Sequence, residues 1–398
     1  MTDRMQTARI IGVLGGGQLG WMLGTAARRL GIECIFLDPA EKCPADMIGR
    51  RIRAPYDHTD AQDRLARETE AITYEFENVP AEAAARLLTC VPVRPGPRSL
   101  EKSQDRLVEK RFIQSLGVPV PRFASIECPE ELDAFLQEVG GEAILKTRRG
   151  GYDGKGQARI VAGTDPLLAL AELGDTPLIA ESLVPFELEV SMLVVRGADG
   201  ETRTWSPIRN QHAGGILRRS DSPSPGISAV AESAMRRHAV TIAEALEHVG
   251  VLAVEFFIVE DRVLVNEIAP RVHNSGHLTI EHARTSQFEN HIRAVAGLPL
   301  GSTEPRFPVA TMLNAIGDRP ETVNLDAADV ARIDESGESD RPLETGSIFW
   351  HDYRKTPRIG RKVGHLTMVG DEIDEKRVAS LVAKIPGAAP ELPPASGE

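Results

Sequence analysis

Short apolar runs alternate with helix-patterned polar stretches over the first hundred residues. The run Ile10 to Leu14 predicts a strand, Gln18 to Leu30 a helix, and Glu33 to Leu37 and Ala71 to Tyr74 two more strands. This alternation predicts a parallel α/β unit. The segment Val91-Pro92-Val93-Arg94-Pro95-Gly96-Pro97-Arg98 cannot continue a helix, so it predicts a link between domains near residue 98, with Ser99 placed to cap the next helix. A helix through Leu116 then leads into strands at Ala143 to Lys146 and Ala158 to Val161, separated by a glycine-rich stretch from Arg149 to Gln157. Strand, flexible loop, strand predicts a lid. Strands at Leu188 to Val195, Val251 to Val259 and Val263 to Ile268, with a helix around Ser233 to Val249, predict the floor beneath it. After Pro299 the pattern is less regular, with a basic stretch from Arg354 to His365, and the last dozen residues predict a disordered tail.

A chain of 398 residues exceeds what one hydrophobic core organises, which predicts two or three domains around a shared cleft. With 41% hydrophobic and 26% charged residues it has the composition of a globular enzyme. A net charge of −12 argues against general affinity for nucleic acid, so an anionic ligand must be met by local cations. Cys34, Cys43, Cys90 and Cys128 form no C-x-x-C pair, as expected of free thiols in a reducing cytoplasm. The charged N-terminus has no signal-peptide core and no run of 18 apolar residues occurs, so a soluble cytoplasmic protein without a membrane partner is expected.

Gly15-Gly16-Gly17-Gln18-Leu19-Gly20 fits G-x-G-x-x-G between a strand and a helix, and Asp38 ends the next strand. The physics predicts an anion at a helix N-terminus. Two other readings stay open: a tight turn without a ligand, and a nicotinamide dehydrogenase. The second glycine loop argues against a dehydrogenase. Lys146 ends a strand just before Gly150, Gly151, Gly154 and Gly156, so ammonium and loop amides can clamp nucleotide phosphates. Glu255 and Glu267 each sit in an apolar strand-like run, joined by the turn Glu260-Asp261-Arg262. An acid so placed needs a partner or a metal. If the runs form a hairpin, the two carboxylates and Asn266 can hold Mg²⁺ carrying nucleotide phosphates; an ion pair with an unseen cation is the alternative. Arg271 to His277 then forms a polar, glycine-interrupted loop with functional character. Its histidines lack a zinc-site pattern.

A lysine before a glycine loop followed by two acids on late strands resembles the ATP-grasp superfamily. The segments Gly15 to Gly20, Thr73 to Val79, Lys146 to Gln157, Asn266 to His277 and Gly360 to His365 resemble, in order and spacing, the N5-carboxyaminoimidazole ribonucleotide synthases. The resemblance spans residues 8 to 370. It implies an α/β protein with an ATP-grasp fold: a dinucleotide-fold-like parallel-sheet domain over 1–98, an ATP-grasp domain over 99–300 with a mobile lid at 120–185, and a small C-terminal domain with its tail over 301–398.

It further implies an ATP site of Arg106, Lys146, Gly151, Tyr152, Asp153, Gly154, Lys155, Gly156, Gln157, the hinge Glu181-Ser182-Leu183-Val184, Glu189, His212, Asn266 and Glu267, with Glu255 and Glu267 on Mg²⁺. For aminoimidazole ribonucleotide it implies Gln18 and Leu19 at the phosphate, Glu75 near the base, and Lys355, Arg361 and Lys362 as phosphate cations. Tyr152, Asp153, Arg271, His273 and Asn274 would surround the reacting centre. The implied reaction uses ATP and bicarbonate, and the implied partners are a second copy of the chain and, transiently, the mutase that takes the product. Trp21, where the family often has a basic residue, and Leu188, after the hinge, depart from the pattern.

Overall fold

A computed structural model of the chain describes residues 9–151, 154–161, 163–174, 176–317, 330–334 and 336–385. Tyr152, Asp153 and the tail expected over the last dozen residues lie outside the described residues.

The N-terminal alternation is present as β1 (Ile10–Leu14), α1 (Gln18–Arg29), β2 (Glu33–Leu37), β3 (Arg50–Ile52), α2 (Thr59–Glu68), β4 (Ala71–Tyr74) and α3 (Ala81–Leu88). The strands form a parallel sheet in the order β3-β2-β1-β4. Apolar side chains cover both faces, with α1 on one and α2 and α3 on the other. The proline-rich segment lies along β4, where Ile72 bonds to Pro92 and Arg94. In α4 (Pro97–Ser103) Gly96, not Ser99, holds the cap position. Pro97 opens that helix because it has no N–H to satisfy and its φ is already helical. Ser99 lies inside the helix, its hydroxyl 2.9 Å from Nδ1 of His248. The single helix expected through Leu116 is broken before α5 (Arg106–Ser115), where Asp105 caps the amides of Leu107 and Val108.

Next come β5 (Phe123–Ile126), α6 (Pro129–Val139), β6 (Ala143–Thr147), β7 (Gln157–Ile160), α7 (Pro166–Leu173) and β8 (Leu178–Ser182). They form an antiparallel sheet, β5-β8-β6-β7, with its own small core against both helices.

The central sheet is built from β9 (Leu188–Arg196), β10 (Thr202–Thr204), β11 (Ile208–Ala213), β12 (Ile216–Ser222), β13 (Gly250–Val259), β14 (Arg262–Ala269), β15 (Val309–Gly317), β16 (Ala331–Arg332), β17 (Ile348–Asp352) and β18 (Arg361–Gly370). Its order is β14-β13-β9-β11-β12-β15-β18-β17-β16, with β10 beside β9, so strands on both sides of residue 300 share one sheet. Alternation along β13 sends Leu252, Val254 and Phe256 toward α8 (Ala229–Ala245), and Val251 and Ala253 toward the opposite face. The helix begins earlier than the sequence pattern suggests because Ser228 accepts from the Ala231 amide and fixes its start. After α9 (Thr279–His282), α10 (Gln287–Ala296) covers the second face together with α1, and α11 (Glu375–Lys384) closes the last strands. Trp21 is buried in the core that joins the N-terminal sheet to the central one. Among the described residues no helix is long and apolar enough to cross a membrane.

Candidate active site

Glu255 and Glu267 are opposed across the β13–β14 hairpin. The register then slips: Phe256 pairs with Val265, leaving Asn266 as an extra residue on β14. Strict alternation would turn Asn266 away from the face that Glu267 uses. The bulge re-aims it, and both residues line one cavity. The ammonium of Lys110 donates to the Asn266 carbonyl at 2.5 Å, satisfying a group the bulge leaves out of the ladder.

Two facing carboxylates require positive charge nearby. Arg106 donates to Glu267 at 2.7 Å. Desolvation acts to raise the Glu267 pKa, but the charge and hydrogen bond of Arg106 outweigh it and hold the carboxyl at about 2. Glu255 has the His273 Nε2 3.3 Å away, and desolvation together with the Glu267 charge pushes it up to about 8. Burial, and then the Arg271 charge, lower His273 to about 3, so its imidazole is neutral. The Ser275 hydroxyl lies 2.9 Å from Nδ1 and the Ser275 amide points at the same nitrogen, while Nε2 faces Glu255. Among the described residues Asn266 Oδ1 has no hydrogen-bond partner. Among the described residues no three His, Cys, Asp or Glu side chains gather into a metal cage. A magnesium ion carried by nucleotide phosphates needs only one or two carboxylates, and the charge-deficient pair with its unsatisfied amide oxygen fits it.

Opposite the hairpin, Lys146 on β6 and Lys110 on α5 hold the Glu181 carboxylate between them at 3.1 and 3.2 Å. Desolvation opposes its ionisation, and the two ammonium charges overcome this, bringing Glu181 to about 2. Glu189 and His212 pair at 2.8 Å; burial works against the imidazolium, yet this bond raises its pKa. Gly154, at φ +76°, approaches the β11–β12 turn so closely that a Cβ would lie 3.0 Å from Gly215 Cα. Only glycine lets the loop close this far.

A cavity of about 330 Å³ lies between these two walls. Arg106, Lys146, Gly154, Lys155, Gln157, Glu181, Ser182, Leu183, Val184, Glu189, His212, Glu255, Asn266 and Glu267 line it, as do Phe186 and Phe257, whose rings stack 4.6 Å apart. A second cavity of about 440 Å³ lies against the N-terminal unit, lined by Gln18, Leu19, Gly151 and Arg271. Arg106, Glu267, His273, Asn274 and Lys362 line both cavities. Gly156 lines neither; its φ of +70° and the nearness of Thr147 give it a backbone role.

The first glycine loop serves the protein's own carboxylates. Glu75 accepts from the amides of Gly17 and Gly20 at 2.5 Å each, and Asp38 accepts from Gly16 at 2.8 Å. Parallel pairing of β4 with β1 brings Glu75 over this loop, so the helix N-terminus expected to face a phosphate is already capped. Glu75 lines neither cavity. Lys355 stands behind the second cavity, donating to Gln18, and burial followed by the Arg361 charge lowers its pKa to about 8. Arg361 donates to the Thr356 carbonyl at 3.1 Å and, like Lys355, stays outside both linings.

Sequence reasoning passed over several lining residues. Glu77 accepts from the Arg271 guanidinium, and Gln104, Glu109 and Arg148 line the second cavity. Phe257 was within reach, because two residues along a strand from Glu255 means the same face.

Three family models match in succession: a ribonucleotide synthetase preATP-grasp domain over residues 7–104, an ATP-grasp domain over 111–288, and a phosphoribosylaminoimidazole carboxylase C-terminal domain over 310–378. The chain is 46% identical over 359 residues to the N5-carboxyaminoimidazole ribonucleotide synthase of Pseudomonas aeruginosa, covering 90% of this chain and 94% of that one. It superposes with a TM-score of 0.85 on the crystal structure of the N5-carboxyaminoimidazole ribonucleotide synthetase of Thermus thermophilus, at 45% identity, covering 96% and 99%. It superposes equally, at 30% identity and covering 96% and 100%, on the Aspergillus clavatus N5-carboxyaminoimidazole synthase in complex with ADP and 5-aminoimidazole ribonucleotide.

Proposed function

The chain belongs to the N5-carboxyaminoimidazole ribonucleotide synthase family of ATP-grasp ligases, and from that membership we propose that it uses ATP and bicarbonate to carboxylate 5-aminoimidazole ribonucleotide in purine biosynthesis. The observation that carries this reading is the wall of Arg106, Glu267, His273, Asn274 and Lys362 shared by two cavities. A ligase that makes a labile intermediate from one substrate and captures it with another needs two pockets meeting at one set of charges.

ATP would lie in the cavity under the lid, its adenine at the Glu181-Ser182-Leu183-Val184 hinge and its phosphates at Lys146 and Arg106. Glu255, Glu267 and Asn266 would hold Mg²⁺, whose charge would stabilise the transferring phosphoryl group. A bicarbonate oxygen attacks the γ-phosphorus, the bond to ADP breaks, and carboxyphosphate forms. Its C–O bond then breaks, the electron pair stays on phosphate, and the released CO₂ is captured by the exocyclic amine of the ribonucleotide. Loss of the amine proton leaves the N5-carbamate. Arg271, His273 and Asn274 would orient the reacting groups, and the lid loop at Gly154 would keep water from hydrolysing the intermediate.

Incubation with ATP, bicarbonate and aminoimidazole ribonucleotide should release ADP only when all three are present. ADP release that depends on formate or an amino acid instead would move the chain to another ATP-grasp reaction.

Lys355 gives this reading a pH dependence. Its pKa is lowered to about 8, so the ammonium is present below that pH and lost as pH rises through it. The substrate phosphate is already a dianion above pH 7, with its second pKa near ~6. The ribonucleotide KM should therefore rise above about pH 8, while the ATP KM stays level. Lys355→Arg should flatten that limb; a flat wild-type profile would remove Lys355 from the phosphate site.

A further inference from the structure

His273 caps, and Asn274 opens, a short 3-10 turn (Asn274–Leu278) that follows the end of β14 at Ala269. Two fully buried side-chain amides from distant elements hold it. Gln287, the first residue of α10, accepts from the His273 amide at 2.8 Å and donates to the His273 carbonyl at 2.7 Å. Its remaining amide hydrogen faces Nδ1 of His277 at 3.3 Å. A flipped amide would set donor against donor and acceptor against acceptor on the same backbone, so the orientation is fixed. Gly276 lies so close that a Cβ would sit 2.6 Å from Gln287 Oε1.

Asn314, in the middle of β15, pairs reciprocally with Asn274: its Nδ2 donates to Asn274 Oδ1 at 2.6 Å, and Asn274 Nδ2 donates back at 3.3 Å. Asn314 also donates to the Leu217 carbonyl at 3.0 Å, which ties the pair to β12. Among the described residues, one amide hydrogen and one lone-pair direction of Asn274 remain for a ligand.

We propose that Gln287 and Asn314 are positioning residues for the reaction, fixing His273 and Asn274 in the wall where the two cavities meet. The inference rests on the functional reading above. It makes a strand beyond residue 300 part of the machinery that couples the two half-reactions, without contact between Asn314 and either cavity. A purely architectural amide would stabilise the fold equally well elsewhere. Both of these end on residues of the shared wall, so their loss should let the intermediate escape to water.

The test uses Gln287→Glu and Asn314→Asp, which keep shape and acceptor but lose the donor, with Gln287→Met and Asn314→Leu as stronger variants in case the acids are tolerated. In variants that fold with an unchanged melting temperature, kcat should fall at least tenfold with the ATP KM within twofold of wild type. ADP formed per ribonucleotide consumed should rise above one. Hydrogen exchange across 273–279 in the unliganded protein should quicken at least tenfold, with no change at the hinge. Wild-type kcat and stoichiometry in these variants, or unchanged exchange, would overturn the inference. A wild-type protein that ignores aminoimidazole ribonucleotide would instead sink the functional reading, and the exchange measurement alone would then judge the clamp.

Discussion

Replacing Glu267 with glutamine should lower turnover by about two to three orders of magnitude while leaving ribonucleotide affinity nearly unchanged. The residue combines two roles. It faces Glu255 across the hairpin, supplying one of two acids suited to a divalent cation, and it accepts from Arg106 at 2.7 Å. Arg106 lines both cavities, so an arginine released from its carboxylate also loses its direction toward the transferring phosphoryl group. Both effects act on charge that develops during phosphoryl transfer, which is why kcat rather than ribonucleotide binding should suffer. Glu255→Gln should be milder, because Glu255 faces His273 Nε2 at 3.3 Å and does not hold Arg106 as Glu267 does. Steady-state kinetics at saturating Mg²⁺, with ribonucleotide binding measured separately without ATP, decide the matter. Turnover at the wild-type level would remove the metal role from Glu267.

How the sequence prefigures this site depends on the range of each interaction. Local signals carried far. The runs at Ile10, Glu33 and Ala71 became strands with the expected bounds, and the turn at Glu260-Asp261-Arg262 brought Glu255 opposite Glu267 as a hairpin requires. The glycine loop was legible because several closely spaced glycines beside a lysine exceed what a plain turn uses. Bulges were not legible. One re-aims Asn266, a second falls between Gln211 and His212 opposite Leu217 to Arg219, and a third sets Lys362 against Ile316. Each lies beside a residue lining the lid cavity, and each inverts the alternation on which face assignments rest.

Long-range partners were hidden for a different reason. Nothing near Gln287 or Asn314 marks them as partners of residues 14 and 40 positions away. Glu75 shows the converse case. Its motif was visible, but pairing of β4 with β1 turned its carboxylate onto Gly17 and Gly20. A helix N-terminus attracts an anion whether the anion is a ligand or a neighbouring side chain, and sequence alone does not distinguish them.

The order of bond making gives the sharpest contrast between outcomes. If bicarbonate labelled with ¹⁸O is supplied in unlabelled water and the reaction is quenched before exchange, each inorganic phosphate should carry one labelled oxygen. The oxygen that attacks the γ-phosphorus stays with it when the C–O bond of carboxyphosphate breaks. Two features favour bicarbonate as the nucleophile. Glu255 lines only the cavity proposed for ATP and Glu267 and Arg106 line both, while Arg271, with Gln18 and Leu19, lines only the second cavity. A small anion between them can reach the γ-phosphorus in line, which a substrate bound in the second cavity would approach from farther away. Attack by water, or phosphorylation of the ribonucleotide followed by displacement, would leave the phosphate unlabelled. Unlabelled phosphate accompanied by N5-carbamate would therefore reject the carboxyphosphate route, keep the family assignment, and move activation onto the other substrate.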